Sequence, residues 1–125
     1  MASAALLAVT PPRPDLLLRT ARICLKLRRP RRAYHALAAV NAIDVRQIAD
    51  PDRTAEQITN IAAVLCARRL RAEAKDMLHS AIALAPRAAA PRSALILLLE
   101  EDLRAAGGNI SLEQWAELEN LCGNR

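Results

Sequence analysis

Phenylalanine is absent from this chain of 125 residues, aromatic residues make up 2% of it, and glycine occurs three times, twice as the adjacent Gly107 and Gly108. A many-stranded sheet draws on aromatic and β-branched residues and on glycine-rich turns, so these shortages argue against one. Histidine is limited to His35 and His79, neither in a ligand motif, and the sequence holds no CxxC pair, HExxH, GxSxG or glycine-rich phosphate loop. Without those groups the material for catalysis or metal binding is missing, and the chain is expected to be a non-enzyme that takes no cofactor and no metal. Asp76 and His79, three apart, read as surface neighbours on a helix joined by an ion pair or hydrogen bond.

Long apolar runs are also lacking. The most apolar stretch, "SALILLLEEDL", is too short to span a bilayer, so no transmembrane segment is expected. The cysteines are three, Cys24, Cys66 and Cys122, isolated from one another. An odd set of this kind points to buried thiols in a reducing intracellular compartment, with the cytoplasm the first expectation, rather than to a disulfide framework. The opening segment is arginine-rich and almost free of acid, as an organelle-import signal would be; a presequence would end before about residue 13, near the prolines. Residues 1–13 are accordingly set apart as a flexible or targeting segment, and 14–125 as one helical domain.

What the chain has is alanine, leucine and well-placed helix signals. Apolar residues make up 53% of the sequence, and a core of leucine and alanine suits closely packed helices. Pro14 and Asp15 fit the first turn of a helix that runs to about residue 28, where Pro30 closes the segment. A second helix carries Ala33, Leu37 and Val40 and is expected to continue into "NAIDVRQIA". Asp50 as N-cap and Pro51 at the first helical position open a third, to Ala67. The stretch 70–86 supplies the fourth, a helix from Pro91 to the two glycines the fifth, and Ser111 with Gln114 a capping box for the sixth. Leu112, Trp115, Leu118 and Cys122 form the expected apolar face of that last helix, with Glu113, Glu117 and Glu119 pointing elsewhere.

An internal repeat links the first four helices. At an offset of 41 residues, Ala21 pairs with Ala62, Cys24 with Leu65, Ala33 with Ala74, Leu37 with Leu78, and Val40 with Ala81. Small residues thus recur where the two helices of a hairpin must touch. On these residues, with Pro86 closing the second unit, the sequence resembles the tetratricopeptide (TPR) repeat family. The offset exceeds the family's period of about 34 residues, which the reading assigns to a longer second helix and a loop through "DVRQIAD". The resemblance implies an all-α fold of about six helices, in antiparallel hairpins stacked as a short TPR-like right-handed superhelix. Residues 14–49 would be the first hairpin, 50–86 the second and 87–125 capping helices.

The resemblance also implies that the first helix of each pair lines a groove for a peptide or an amphipathic helix of a partner protein. The positions it designates are Leu18, Arg22, Leu25 and Lys26 from the first unit and Thr59, Ala63 and Cys66 from the second. Lys26 and Asn60 are the nearest approach to the Lys/Asn cluster by which some TPR domains hold a C-terminal carboxylate, and the full cluster is missing. Charge favours an acidic partner: residues 1–35 carry eight basic side chains against Asp15 alone, whereas residues 87–125 carry four basic and six acidic groups. The run "KLRRPRR" concentrates Arg28, Arg29, Arg31 and Arg32 in one turn. Besides a solvated face, that turn admits a second function: a basic subunit of a large assembly anchored on RNA or on an anionic membrane. Scarce aromatics count against single-strand RNA reading. The first expectation is a non-catalytic protein-interaction module, an adaptor, chaperone or assembly subunit.

Overall fold

Proline and side-chain oxygens set the helix starts. In the computed structural model, which describes residues 13–107 and 111–123, α1 is Pro14–Lys26, α2 Pro30–Asn41, α3 Pro51–Ala67, α4 Arg71–Leu84, α5 Ala89–Ala105 and α6 Leu112–Gly123. The chain is all-α, with these six helices and no strand among the described residues. The expected N-terminal segment 1–13 lies, but for Arg13, outside the described residues, as does Gly108. Asp50 caps α3 by accepting the Arg53 N–H at 3.1 Å. Ser111 and Gln114 form the expected box, the Ser111 N–H donating to Gln114 Oε1 at 3.1 Å and the Gln114 N–H to Ser111 Oγ at 3.2 Å. α5 begins at Ala89 rather than at Pro91, at no cost in hydrogen bonds, because the first four N–H groups of a helix have no partner within it.

α2 stops earlier than expected. The Asp44 carboxylate accepts the Arg46 N–H at 3.0 Å and draws Val45–Gln47 into a single 3-10 turn, an alternative to helix that aspartate offers readily. Ile43 and Ile48 then turn inward on either side. The extra residues of the first unit therefore lie in the connection, not in a longer helix.

The repeat is a physical equivalence. Ala21, Ala33, Leu37 and Val40 are buried, and so are Ala62, Ala74, Leu78 and Ala81 at the 41-residue offset. The helix ends match as well. After α1 the Arg28 N–H bonds the Leu25 carbonyl and the Arg29 N–H the Cys24 carbonyl; after α3 the Arg69 N–H bonds Cys66 and the Leu70 N–H bonds Leu65. This is the double closure of a Schellman motif, and its left-handed residue is an arginine both times, Arg28 at φ 60° and Arg69 at φ 68°. After α5 the left-handed residue is Gly107, at φ 66°, whose N–H bonds the Arg104 carbonyl and where glycine carries no penalty.

α1 packs on α2 and α3 on α4, while α1, α3 and α5 lie side by side. Two hydrogen bonds join the second helices. The Tyr34 hydroxyl donates to Asp76 at 2.8 Å, raising the tyrosine pKa through that bond, and Asn41 donates to Ser80 at 2.9 Å. Position rises together along both helices, so α2 and α4 run parallel. Arg71, at the start of α4, donates to Glu101 at 3.1 Å and to Asp102 at 2.6 Å near the end of α5, and Lys75 also pairs with Asp102. α5 is therefore antiparallel to α4, and the turns after α1, α3 and α5 share one end of the molecule. Burial alone would raise the Asp102 pKa, but the bonds from Lys75 and Arg71 outweigh it and hold the carboxyl below its ordinary value. α6 leans on α5 and meets α4 through His79 Nε2 and Glu117 Oε1, 2.6 Å apart. Asp76 and His79 are thus not each other's partners; each reaches to a different helix.

Candidate functional site

An α-helix with apolar residues on two opposite faces can bury only one of them in a two-layer fold, and α1 is such a helix. Leu18, Ala21 and Leu25 form its inner face and are buried. Leu16, Ile23 and Leu27 follow a separate line on the other side and are 47, 50 and 62% exposed. Arg19, Arg22 and Lys26 border that open line, all exposed. Their spacing of three and four keeps the basic row parallel to the apolar one.

The repeat extends this surface to α3. Ile23 corresponds to Val64 and Arg22 to Ala63 at the 41-residue offset, and Val64 and Ala63 are exposed in their turn. On the α5 side, Ala63 and Cys66 border a cavity of about 220 Å³ whose far wall includes Ala94, Leu97 and Leu98. Leu97 is 57% exposed at its mouth. A second depression, about 680 Å³, lies between the starts of α1 and α3, where Arg13, Asp15, Asp50 and Arg53 surround Leu18 and Gln57.

The residues designated from the sequence divide accordingly. Arg22, Lys26 and Ala63 are exposed on the row of first helices, and Cys66 is half-buried in the cavity wall. Leu18, Leu25 and Thr59 correct the expectation: the two leucines belong to the core, and the buried Thr59 hydroxyl donates to the Ala55 carbonyl at 2.8 Å. They stand on the inner side of their helices, and a partner on the outer side does not reach them. The residues that replace them, Leu16, Ile23, Leu27 and Val64, were visible in the sequence as a second apolar periodicity in α1 and its echo in α3. Arg28, Arg29, Arg31 and Arg32 are all exposed around the first turn.

α6 departs from expectation in the same sense. Its seat is made by Leu118 and Leu121, whereas Leu112 is 87% exposed, Trp115 48% exposed and Cys122 exposed. Glu117, expected to point away from the apolar face, is the residue that turns toward α4. Cys24 and Cys66 are half-buried free thiols, so the three cysteines are not uniformly buried. No described helix is long and apolar enough to cross a membrane. Comparison with protein-family models, with curated proteins and with solved structures finds no match to this chain.

Proposed function

We propose that the chain is a TPR-like, non-catalytic interaction module that holds an amphipathic helix of a partner protein along the outer face of α1 and α3. The observation that carries this reading is the second apolar line of α1, Leu16, Ile23 and Leu27, open and bordered by Arg19, Arg22 and Lys26. An apolar strip flanked by cations suits a helix with an apolar stripe and acidic residues on one side of it. Burial then contributes most of the affinity, while the charges set orientation and speed encounter. The internal repeat and the missing catalytic groups support the same class of role, that of an adaptor, chaperone or assembly subunit.

The test is site-specific photocrosslinking. A photoreactive residue at Ile23 or Val64 should give discrete protein adducts in extracts of the source cells, whereas one at Glu100 or Arg87 should not. Arg22→Ala with Lys26→Ala should weaken the adducts at Ile23. Equal labelling from all four positions, or none from Ile23 and Val64, refutes the reading.

A further inference from the structure

The shared end of the molecule gathers the turn after α1, the turn after α3 and the end of α5. Six arginines crowd its first two turns: Arg28, Arg29, Arg31, Arg32, Arg68 and Arg69. All six are exposed, and their side chains make no ion pair or hydrogen bond among the described residues. Arg104 adds a seventh from the last turn of α5. Of the acids nearest this end, Glu101 and Asp102 are held by Arg71 and Lys75 and Glu73 sits half-buried in the first turn of α4, which leaves Glu100, one turn before Arg104, and Glu113, in the first turn of α6, as exposed carboxylates against seven arginines. The opposite end is mixed, with Arg13 paired to Asp15, Arg46 to Asp44, and Asp50 capping α3.

Two further features work against the fold's own stability here. Arg28 and Arg69 hold the left-handed backbone that glycine adopts without cost, at equivalent places in the two turns. Arg31 and Arg32 stand in the first turn of α2, which has no acidic residue to offset cations at a helix start. Left-handed arginines in both turns, and an uncompensated start to α2, suit a surface whose charges are used on something else.

We propose that this end is a docking surface for anionic lipid headgroups, built from both turns together. A phosphate-bearing polyanion is the chemistry that seven clustered guanidinium groups recognise. Leu27 decides between lipid and nucleic acid. It is 62% exposed between Lys26 and Arg28, in the middle of the basic turn. A leucine there gains nothing against a sugar–phosphate backbone, but it is buried when it enters the boundary between headgroups and acyl chains. Nor is there an aromatic platform for bases, since Tyr34 is tied to Asp76 and Trp115 stands on α6. The two surfaces meet at Leu27, where the outer line of α1 runs into the turn, but the arginines of the turns lie beyond the proposed protein face, and vesicle binding by the purified chain does not depend on a protein partner.

Flotation of the full chain with vesicles tests the proposal. Binding to phosphatidylcholine vesicles that contain phosphatidylserine should exceed binding to phosphatidylcholine alone, and added salt should weaken it. Each arginine replaced by glutamine should lower binding roughly fivefold, so Arg68→Gln with Arg69→Gln should lower it roughly 30-fold. Arg68→Lys with Arg69→Lys should restore most of it, and Arg87→Gln, at the opposite end, should change nothing. Leu27→Ser should weaken vesicle binding and leave retention on a phosphocellulose column unchanged. Equal binding to neutral and anionic vesicles overturns the proposal, as does full binding by the Arg68/Arg69 double variant. Salt-sensitive capture of duplex RNA without vesicle binding overturns it in favour of nucleic acid. Circular dichroism of each variant separates lost binding from lost fold.

Discussion

The two hairpins from α1 to α4 and the pair formed by α5 and α6 are held together by different means. In the hairpins, small side chains sit at the crossings, Ala21 with Ala33 and Ala62 with Ala74, each almost wholly inaccessible, and large ones fill the spaces between. Leu37, Leu65 and Leu78 are almost wholly inaccessible as well. α5 is drawn in from one side by Leu95 and Leu99 and fastened to α4 by the charges of Arg71, Lys75 and Asp102. α6 contributes one buried leucine, Leu118. Stability in this molecule is graded along the chain, with interdigitated packing at one end of the gradient and a shallow seat at the other.

The largest effect should come from emptying the interdigitated part. Leu78→Ala, and its equivalent Leu37→Ala, should each cost about 2–5 kcal/mol in urea denaturation, whereas Leu118→Ala should cost less than about 2 kcal/mol. Equal losses at Leu78 and Leu118 would remove the gradient. Filling a crossing comes next: Ala74→Leu should cost about 1–3 kcal/mol by overpacking, and an Ala74→Leu protein as stable as the parent would show that the hairpin helices are not in close contact.

The charged fastening of α5 should respond to acid. The Asp102 carboxyl is held below its ordinary value in the folded chain, so its contribution is complete above the unfolded value, about pH 4, and is lost as pH falls through the lower folded value. Asp102→Asn should cost about 1–2 kcal/mol at neutral pH and flatten the fall in stability below about pH 4. A steep acid limb that survives in the variant would place that limb elsewhere.

The smallest effect has the opposite sign. Arg28→Gly and Arg69→Gly should each raise stability by about 0.5–1 kcal/mol, because glycine adopts the left-handed turn without the clash of a Cβ. Gains of similar size at the two sites would sharpen the equivalence of the hairpins, and both variants should lose affinity for anionic vesicles while gaining stability.

Much of this arrangement is written in short-range signals. Asp50 before Pro51, and Ser111 three residues before Gln114, announce helix starts because a cap acts within one turn. The alanine pair spaced by twelve announces a hairpin because its geometry is local. What the sequence leaves open is direction. α1 carries two apolar lines, and periodicity gives their spacing without saying which one meets α3; the family resemblance puts Leu18 and Leu25 in the groove, and packing turns Leu16 and Ile23 outward instead. The same ambiguity rotated the face of α6: Leu118 turns inward as expected, but with Leu121 beside it rather than Leu112 and Trp115. The importance of Arg68 and Arg69 depends on long-range pairing, since only the parallel course of α2 and α4 brings their turn beside Arg28.

The lone tryptophan stands on the helix with the shallowest seat. Trp115 is on the open side of α6, and it is the chain's sole indole. Its emission therefore reports one peripheral unit, whereas amide circular dichroism sums over all six helices. If α6 opens as a separate cooperative unit, the fluorescence transition precedes the dichroic one, and amides in α6 exchange their hydrogens faster than those of α3 and α4. A melting curve followed by tryptophan emission alone would then measure the detachment of α6 and understate the stability of the hairpins.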